Sequence, residues 1–151
     1  MYKHILVAVD TCDTSYAALK AAITLAKQLN AKLRILHVAN EYFVNYLGAN
    51  IGYEEYETSV KEAGQALLSQ MSKIASKSKV TFDTTLVELK NFQGRIEQKI
   101  IEAAQAWPAD LLVIGSHGRR GFHHFLLGSV SEGVTRISPI PVLLIRAKPT
   151  S

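Results

Sequence analysis

Strand-like apolar segments alternate with helix-like segments along the chain, and this alternation limits the possible folds more than any other feature. The segment 4–10 is nearly continuously apolar, and from Ser15 to Leu29 apolar residues recur every three or four positions. Four more strand-like segments and three more helical ones follow in alternation. This order is typical of a parallel sheet whose right-handed crossovers place helices on both faces. The sequence therefore predicts an α/β fold, a doubly wound, Rossmann-like sheet of five parallel strands.

The predicted elements form one domain, 1–151, an ordinary size for a single core. Strands are predicted at 4–10, 32–39, 80–89, 111–114 and 142–145. Helices are predicted through 15–29, 60–74, 96–107 and 130–137. The third strand alternates polar and apolar residues, which indicates a position near an edge of the sheet. Ligands of such sheets bind at the carboxyl ends of the strands, so the loops after the first, second and fourth strands form the candidate site.

Composition argues against several classes of function. The formal net charge is +4, but the basic residues are spread along the chain and Arg119-Arg120 is its only pair of adjacent arginines, so we expect no nucleic-acid partner. Cys12 is the only cysteine, which excludes an internal disulfide and a four-cysteine zinc site and suits the cytoplasm. No apolar segment approaches the ~20 residues that span a bilayer, and no export signal is recognisable, so we expect no membrane association.

One segment, GSHGRRGFHHFLLGS at 115–129, joins the fourth strand to the last helix. Its glycines and final serine have the spacing G-x2-G-x9-G-S, and glycine lets a ligand approach the backbone closely. The helix that begins near Ser129 presents unpaired amides to an anion, and Ser129, Ser131 and Arg119 would add side-chain donors. The spacing alone leaves two interpretations open: a phosphate-binding loop, and an ordinary surface loop in which Ser129 only caps the helix.

Other polar side chains carry weaker predictions. The loop lacks the lysine of a Walker motif and the GxGxxG of a dinucleotide site. His117, His123 and His124 lack the spacing of zinc ligands, so we expect no metal site of their own, although they could contact a phosphate. His37, inside the second strand, is interpreted as a structural histidine. Cys12 is interpreted as a small, partly buried side chain rather than a redox-sensitive one.

Five blocks of the sequence resemble those of the universal stress protein family in their usual order. They are ILVAVD, LRILHVAN, ADLLVIGSHGRRG, LLGSVSEGV and SPIPVLLIR. The spacing G-x2-G-x9-G-S is similar to the signature of the family's ATP-binding branch. The resemblance covers essentially the whole chain. It implies a cytoplasmic stress-response module that binds ATP, with or without Mg2+, and acts through nucleotide binding and protein interaction.

The resemblance also implies where each part of the nucleotide binds. Asp10, with Thr11 and Cys12 beside it, would meet the ribose or the adenine, and the backbone of Val38 would hydrogen-bond the adenine edge. The residues implied around the nucleoside and the phosphates are Ile114, Gly115, His117, Gly118, Arg119, Gly128, Ser129, Val130 and Ser131. Asp10 or a neighbouring carboxylate would assist a metal ion on the phosphates. The alternative for Asp10 is an aspartate that ends a strand and caps a turn.

The loop after the first strand departs from the family's common pattern at Thr11-Cys12-Asp13. Asp13 would place a second carboxylate near the phosphates. It would either favour a metal ion there or repel a triphosphate.

Three functions remain open from the sequence. The first is an ATP-binding stress protein that is not an enzyme, or that hydrolyses ATP only slowly. The second is a weak magnesium-dependent ATP hydrolase, which we rank lower because no general base is convincingly placed near a γ-phosphate. The third is a flavoprotein-like or other nucleotide-binding relative with the same fold.

The last strand, Val142 to Ile145, indicates a partner of its own kind. We expect it at an edge of the sheet, where it would leave an apolar row with unpaired backbone groups. Pairing with the same strand of a second copy around a two-fold axis would cover that edge. The resemblance implies the same homodimer, and the alternative is that the chain's own tail covers the strand.

Overall fold

The computed structural model of the chain describes residues 1–40, 53–90, 94–116 and 128–146. The strands in these ranges are β1 (His4–Ala8), β2 (Lys32–Asn40), β3 (Phe82–Leu89), β4 (Leu111–Gly115) and β5 (Val142–Ile145). The helices in the same ranges are α1 (Asp13–Leu29), α2 (Tyr53–Ser76), α3 (Ile96–Ala106) and α4 (Ser129–Ile137). All strands pair in parallel, in the order β3-β2-β1-β4-β5. The predicted doubly wound α/β fold is therefore confirmed.

Several predicted boundaries differ from the structure, and two of the differences have a clear physical cause. β1 ends at Ala8 rather than at residue 10, because the chain turns at Asp10. α2 begins at Tyr53, well before the predicted stripe, and its first turn carries the exposed Glu54 and Glu55. Acidic side chains stabilise the N-terminus of a helix, but they are not part of the repeating apolar residues. The apolar repeat therefore indicates only the later turns of α2. No helix of the described ranges, this one included, is long and apolar enough to cross a membrane.

β1 lies in the middle of the sheet and is buried on both faces. Ile5, Leu6 and Val7 are each 0% exposed. One face packs against α1 and α2 through side chains such as Leu19, and the opposite face packs against α3 and α4 through side chains such as Ile100. Burial of one large aliphatic side chain contributes about 1.5–3 kcal/mol, so these two apolar layers hold β1 in place.

The strand order reverses direction between β1 and β4. The chain runs from β1 outward through β2 to β3, and then crosses back to β4 and β5 on the other side of β1. The chain continues from β1 toward one edge of the sheet and from β4 toward the other, and a crevice forms at the carboxyl ends of these two strands. β3 and β5 lie at the two edges of the sheet, as predicted.

The opposite, amino end of the sheet is held by polar side chains. The carboxylate of Asp110 accepts the backbone N–H of Lys3 at 2.8 Å and that of His4 at 3.0 Å, which ties the start of β4 to the start of β1. Arg34 donates two hydrogen bonds to Asp83, at 2.7 and 2.8 Å, and its guanidinium lies 4.7 Å from the ring centre of Trp107. The hydrogen bond to Asp83 raises the pKa of Arg34 above its ordinary value.

Candidate functional site

A cavity of about 470 Å3 lies at the carboxyl ends of β1, β2 and β4. Its volume falls within the range of small-molecule sites. The described residues that line it are Ala8, Val9, Asp10, Ser15, Leu36, His37, Val38, Asn40, Ile96, Ile100, Ile114, Gly115, Gly128, Ser129, Val130 and Ser131. The cavity therefore occupies the crevice where the strand order predicts a ligand.

The wall of the cavity is mostly apolar on the α3 face of the sheet. Val38 and Ile114 come from the last residues of β2 and β4, and Ile96 and Ile100 come from the first turns of α3. These four side chains belong to, or pack against, one apolar cluster, which also includes Leu36. An apolar wall with few polar groups suits a flat, weakly polar ligand group such as a nucleobase.

Asp10 ends β1 through a turn built by its own side chain. Its Oδ1 atom accepts the N–H of Cys12 at 2.7 Å and the hydroxyl of Ser15 at 2.8 Å. Its own N–H lies 2.8 Å from the Ser15 Oγ atom. Asp10 therefore caps a turn at the start of α1 and, at the same time, lines the cavity, where it is the only acidic residue among the described lining residues.

The N-terminus of α4 lies beside the cavity and is anchored to the end of β4. Gly128 donates its N–H to the Ser116 carbonyl at 2.8 Å, and the Glu132 N–H closes the first helical turn on the Gly128 carbonyl at 2.9 Å. The amides of the first three helical residues, 129–131, precede that first turn and have no partner within the helix. These three amides are the candidate hydrogen-bond donors to a bound anion.

The hydroxyl of Ser131 has a different role from the expected ligand donor. Ser131 is buried, and its Oγ lies 2.9 Å from the Ser116 carbonyl oxygen and 3.0 Å from the Gly128 carbonyl oxygen. A hydroxyl has one hydrogen to donate, and here both acceptors belong to the protein. The hydroxyl therefore holds α4 against β4 and leaves the amide of Ser131 as its contribution to a ligand.

Gly115 is required by packing within the protein. A Cβ at this position would lie 2.7 Å from Oγ1 and 2.8 Å from Cβ of the buried Thr14 in the first turn of α1. The absence of a side chain therefore lets α1 approach the end of β4. Gly128 has φ −63° and ψ 155°, a conformation open to any residue, so its backbone has no need of a glycine.

His37 is buried, with 8% of its surface exposed, and it lines the cavity. Its Nδ1 atom lies 2.8 Å from the Val9 carbonyl oxygen, so Nδ1 carries the proton and donates it to that carbonyl. The interpretation of His37 as a hydrogen-bonded structural residue is confirmed. Its position at the wall of the cavity was not predicted.

The structure brings most of the predicted site residues together. Asp10, Val38, Ile114, Gly115 and the segment 128–131 all line the cavity. Thr11 and Cys12 are not among the lining residues; Thr11 is exposed and Cys12 is the half-buried N-cap of α1. The predictions for His117, Gly118, Arg119, His123 and His124 lie outside the described residues.

Sequence reasoning missed several lining residues. Ser15 carried a signal, since a serine just after Asp10 is a strong turn and cap former. Asn40 lies one residue beyond the predicted end of β2. Ile96 and Ile100 lie in the helix predicted at 96–107, and their contact with the cavity depends on where α3 packs against the sheet. In the ranges that the structure describes, no group of three or more His, Cys, Asp or Glu side chains could hold a metal ion.

Comparisons with known proteins agree on one family. The family model described as "Universal stress protein family" matches residues 1–146. The universal stress protein YxiE of Bacillus subtilis is 34% identical over 153 residues, which cover 97% of this chain and 100% of YxiE. The solved structure of the hypothetical protein MJ0577 is 25% identical, with a TM-score of 0.83 and 99% of both chains covered. A solved universal stress protein in complex with cAMP is 25% identical, with a TM-score of 0.67 and coverage of 96% of this chain and 97% of that one.

Gly115→Ala is expected to lower the free energy of unfolding by about 1–3 kcal/mol, because the new methyl group overpacks the Thr14 contact. Urea denaturation followed by circular dichroism measures the change. Gly128→Ala is the matched control and should cost only about 0.5 kcal/mol, since its backbone conformation tolerates alanine and the weaker N-cap is partly offset by a less flexible unfolded chain. Equal losses in the two variants would contradict the packing role of Gly115.

Proposed function

This chain belongs to the universal stress protein family, and we propose that it is a cytoplasmic stress-response protein that binds ATP and acts through nucleotide binding and protein interaction. One observation carries the proposal: a single cavity joins an apolar wall at the end of β2 to the open amides of α4. A nucleotide base packs against an apolar wall, and its phosphate chain accepts hydrogen bonds from amides at the other end of the same site. The related protein in complex with cAMP supports an adenine nucleotide as the ligand.

The adenosine part is proposed to lie between β1, β2 and α3. The base would pack among Val38, Ile100 and Ile114, with its polar edge on the Val38 backbone. Asp10 would accept a ribose hydroxyl through Oδ2, because Oδ1 already accepts two hydrogen bonds from the protein. This assignment makes the turn-capping and ligand-binding interpretations of Asp10 compatible.

The phosphates are proposed to bind at the N-terminus of α4. The three amides of 129–131 and the positive end of the helix dipole stabilise negative charge there. Gly118, Arg119 and His117 would add contacts from the loop between β4 and α4. Mg2+, when bound, would neutralise phosphate charge. Among the described lining residues, only Asp10 offers a carboxylate oxygen for it.

Ser129→Pro tests the phosphate end of the site. Ser129 is the first residue of α4, where proline is tolerated, and Gly128 before it already has the extended conformation that proline requires. The variant removes one amide donor while the helix remains. The loss of one charge-assisted hydrogen bond, about 1.5–3 kcal/mol, should raise the Kd for ATP about 10- to 100-fold in isothermal titration calorimetry.

Two controls make this result specific. Ser129→Ala removes the hydroxyl and keeps the amide, so its affinity for ATP should stay within a few-fold of the parent. Adenosine has no phosphate, so its affinity should be the same in all three proteins. An unchanged ATP affinity in Ser129→Pro would contradict phosphate binding at α4, and failure of the parent to bind any adenine nucleotide would contradict the proposed function.

The alternative activity is slow, magnesium-dependent hydrolysis of ATP by the same site. We expect bound ATP to stay intact, because no described residue is placed as a base for the attacking water. The measurement is the ratio of ATP to ADP during long incubation with Mg2+. Multiple turnovers that disappear in Asp10→Asn would favour the hydrolase, since asparagine keeps the acceptor for the Cys12 N–H and removes the charge.

The edge strand β5 is proposed to pair with β5 of a second copy around a two-fold axis. The carbonyls of Pro141, just before this strand, and of Ile145 accept hydrogen bonds from the Leu112 and Ser116 N–H groups at 3.0 and 2.9 Å. The backbone groups of Val142 and Leu144 therefore face away from the sheet. Leu143 is 38% exposed on this strand. Antiparallel pairing of two such edges would satisfy the outward groups and cover the leucine.

Leu143→Lys is expected to convert the dimer into a monomer, because two copies would place like charges close to the two-fold axis. Sedimentation velocity at micromolar concentration measures the change. Leu29→Lys is the matched control: Leu29 is also 38% exposed but lies at the end of α1, so this variant should remain dimeric. A parent protein that is monomeric, or a Leu143→Lys variant that stays dimeric, would contradict the β5 interface.

A further inference from the structure

The hydrogen bond of His37 changes the end of the β1–β2 ladder. These strands pair in register from His4 opposite Lys32 to Ala8 opposite Leu36, and the Val9 N–H continues the pattern by donating to the Leu36 carbonyl at 2.8 Å. The next bond of a parallel ladder would run from the Val38 N–H to the Val9 carbonyl. These two described groups form no such bond. The Val9 carbonyl instead accepts the Nδ1–H of His37, 2.8 Å away.

The backbone of Val38 therefore faces space that β1 does not fill. The N–H and C=O of one strand residue point to the same side, and at Val38 that side is the side of β1. The chain beyond Val9 turns at Asp10, and the β1–β2 pairing does not reach Val38. Val38 itself lines the cavity. A donor and an acceptor lie side by side on the cavity wall, the complement of the N1 acceptor and the 6-amino donor of adenine.

We propose that His37 is a positioning residue for base recognition. Its Nδ1–H satisfies the Val9 carbonyl in place of the Val38 N–H and fixes that carbonyl toward the ring, so the Val38 N–H does not close the ladder and stays available to the base. The identity of the base rests on the proposed function. Whether the Val38 amide is hydrogen-bonded does not depend on the ligand and can be measured in the free protein.

Gly64 of α2 supports the ring of His37 from another side. A Cβ at position 64 would lie 3.2 Å from Cδ2 of His37 and 2.8 Å from Cδ1 of Leu86. The close approach of α2 therefore confines the buried ring and holds Nδ1 within reach of Val9. A smaller or more mobile side chain at position 37 would leave the Val9 carbonyl open to the Val38 amide.

Amide hydrogen exchange of the free protein, followed by NMR, tests the geometry without a nucleotide. The Val38 amide should exchange at least about tenfold faster than the Leu36 amide, which faces β1 inside the paired ladder. In His37→Leu, the Val9 carbonyl becomes available and exchange at Val38 should slow toward that of Leu36. His37→Asn is the matched control, since its amide nitrogen takes the place of Nδ1 and exchange at Val38 should stay fast.

Nucleotide titration of the same proteins tests the recognition step. His37→Leu should raise the Kd for ATP about tenfold, the effect of one lost hydrogen bond, and reduce the preference for ATP over ITP, whose base presents the opposite donor and acceptor pattern. Inorganic tripolyphosphate should bind both proteins equally, because it makes no contact with Val38. His37→Asn should restore both the ATP affinity and the preference. A purely structural role would instead weaken ATP and tripolyphosphate alike.

Two results would overturn the inference. One is a Val38 amide in the parent protein that exchanges as slowly as the Leu36 amide. The other is a folded His37→Leu variant that keeps fast Val38 exchange and the parent's preference for ATP over ITP. If the parent binds no adenine nucleotide, the proposed function fails, and the exchange rates still decide whether His37 controls the end of the ladder.

Discussion

The burial of β1 on both faces is the constraint on which the rest of the structure depends. Ile5, Leu6 and Val7 have no exposed surface, so helices must cover the sheet on both sides. A chain that meets this requirement with right-handed crossovers runs to one side through β2 and β3, then returns to β4 and β5. The chain then continues from β1 and from β4 toward opposite edges of the sheet. The cavity is thus a consequence of the same packing that stabilises the fold.

Where β1 ends, its hydrogen-bond ladder with β2 ends too, and the backbone polar groups there need other partners. A buried backbone group without a partner costs about 1–3 kcal/mol, so an abrupt end would be expensive. Side chains reduce this cost: Asp10 and Ser15 bond to each other and to the turn, and His37 bonds to the Val9 carbonyl. Under the proposed role of His37, the backbone of Val38, which lines the cavity, is left for a ligand. The polar residues at this point therefore both end the strand and define where a ligand can bind.

The fold could be predicted because each strand and helix is marked by its own residues. Part of the site could not be predicted, because it depends on contacts between elements. The spacing of apolar residues marks each strand and helix, and Gly128-Ser129 marks the start of α4. The packing role of Gly115 was harder to predict from the sequence, since its contact with Thr14 depends on the angle at which α1 crosses β4. The same limit applies to His37, whose bond to Val9 requires the register of β1 against β2. Contacts between elements depend on distances that a one-dimensional pattern does not contain.

The described lining residues of the cavity offer more groups for holding a ligand than for transforming it. Backbone groups at the start of α4 supply donors, and Asp10 is the only charged residue among the described lining residues. One oxygen of that carboxylate already accepts two hydrogen bonds. The hydroxyl of Ser131, one of the side-chain groups expected to bind a phosphate, is turned toward carbonyls of the protein. The described lining residues can hold an apolar ring and an anion, and under the proposed function the occupancy of the cavity by the nucleotide is the property that a partner protein would sense.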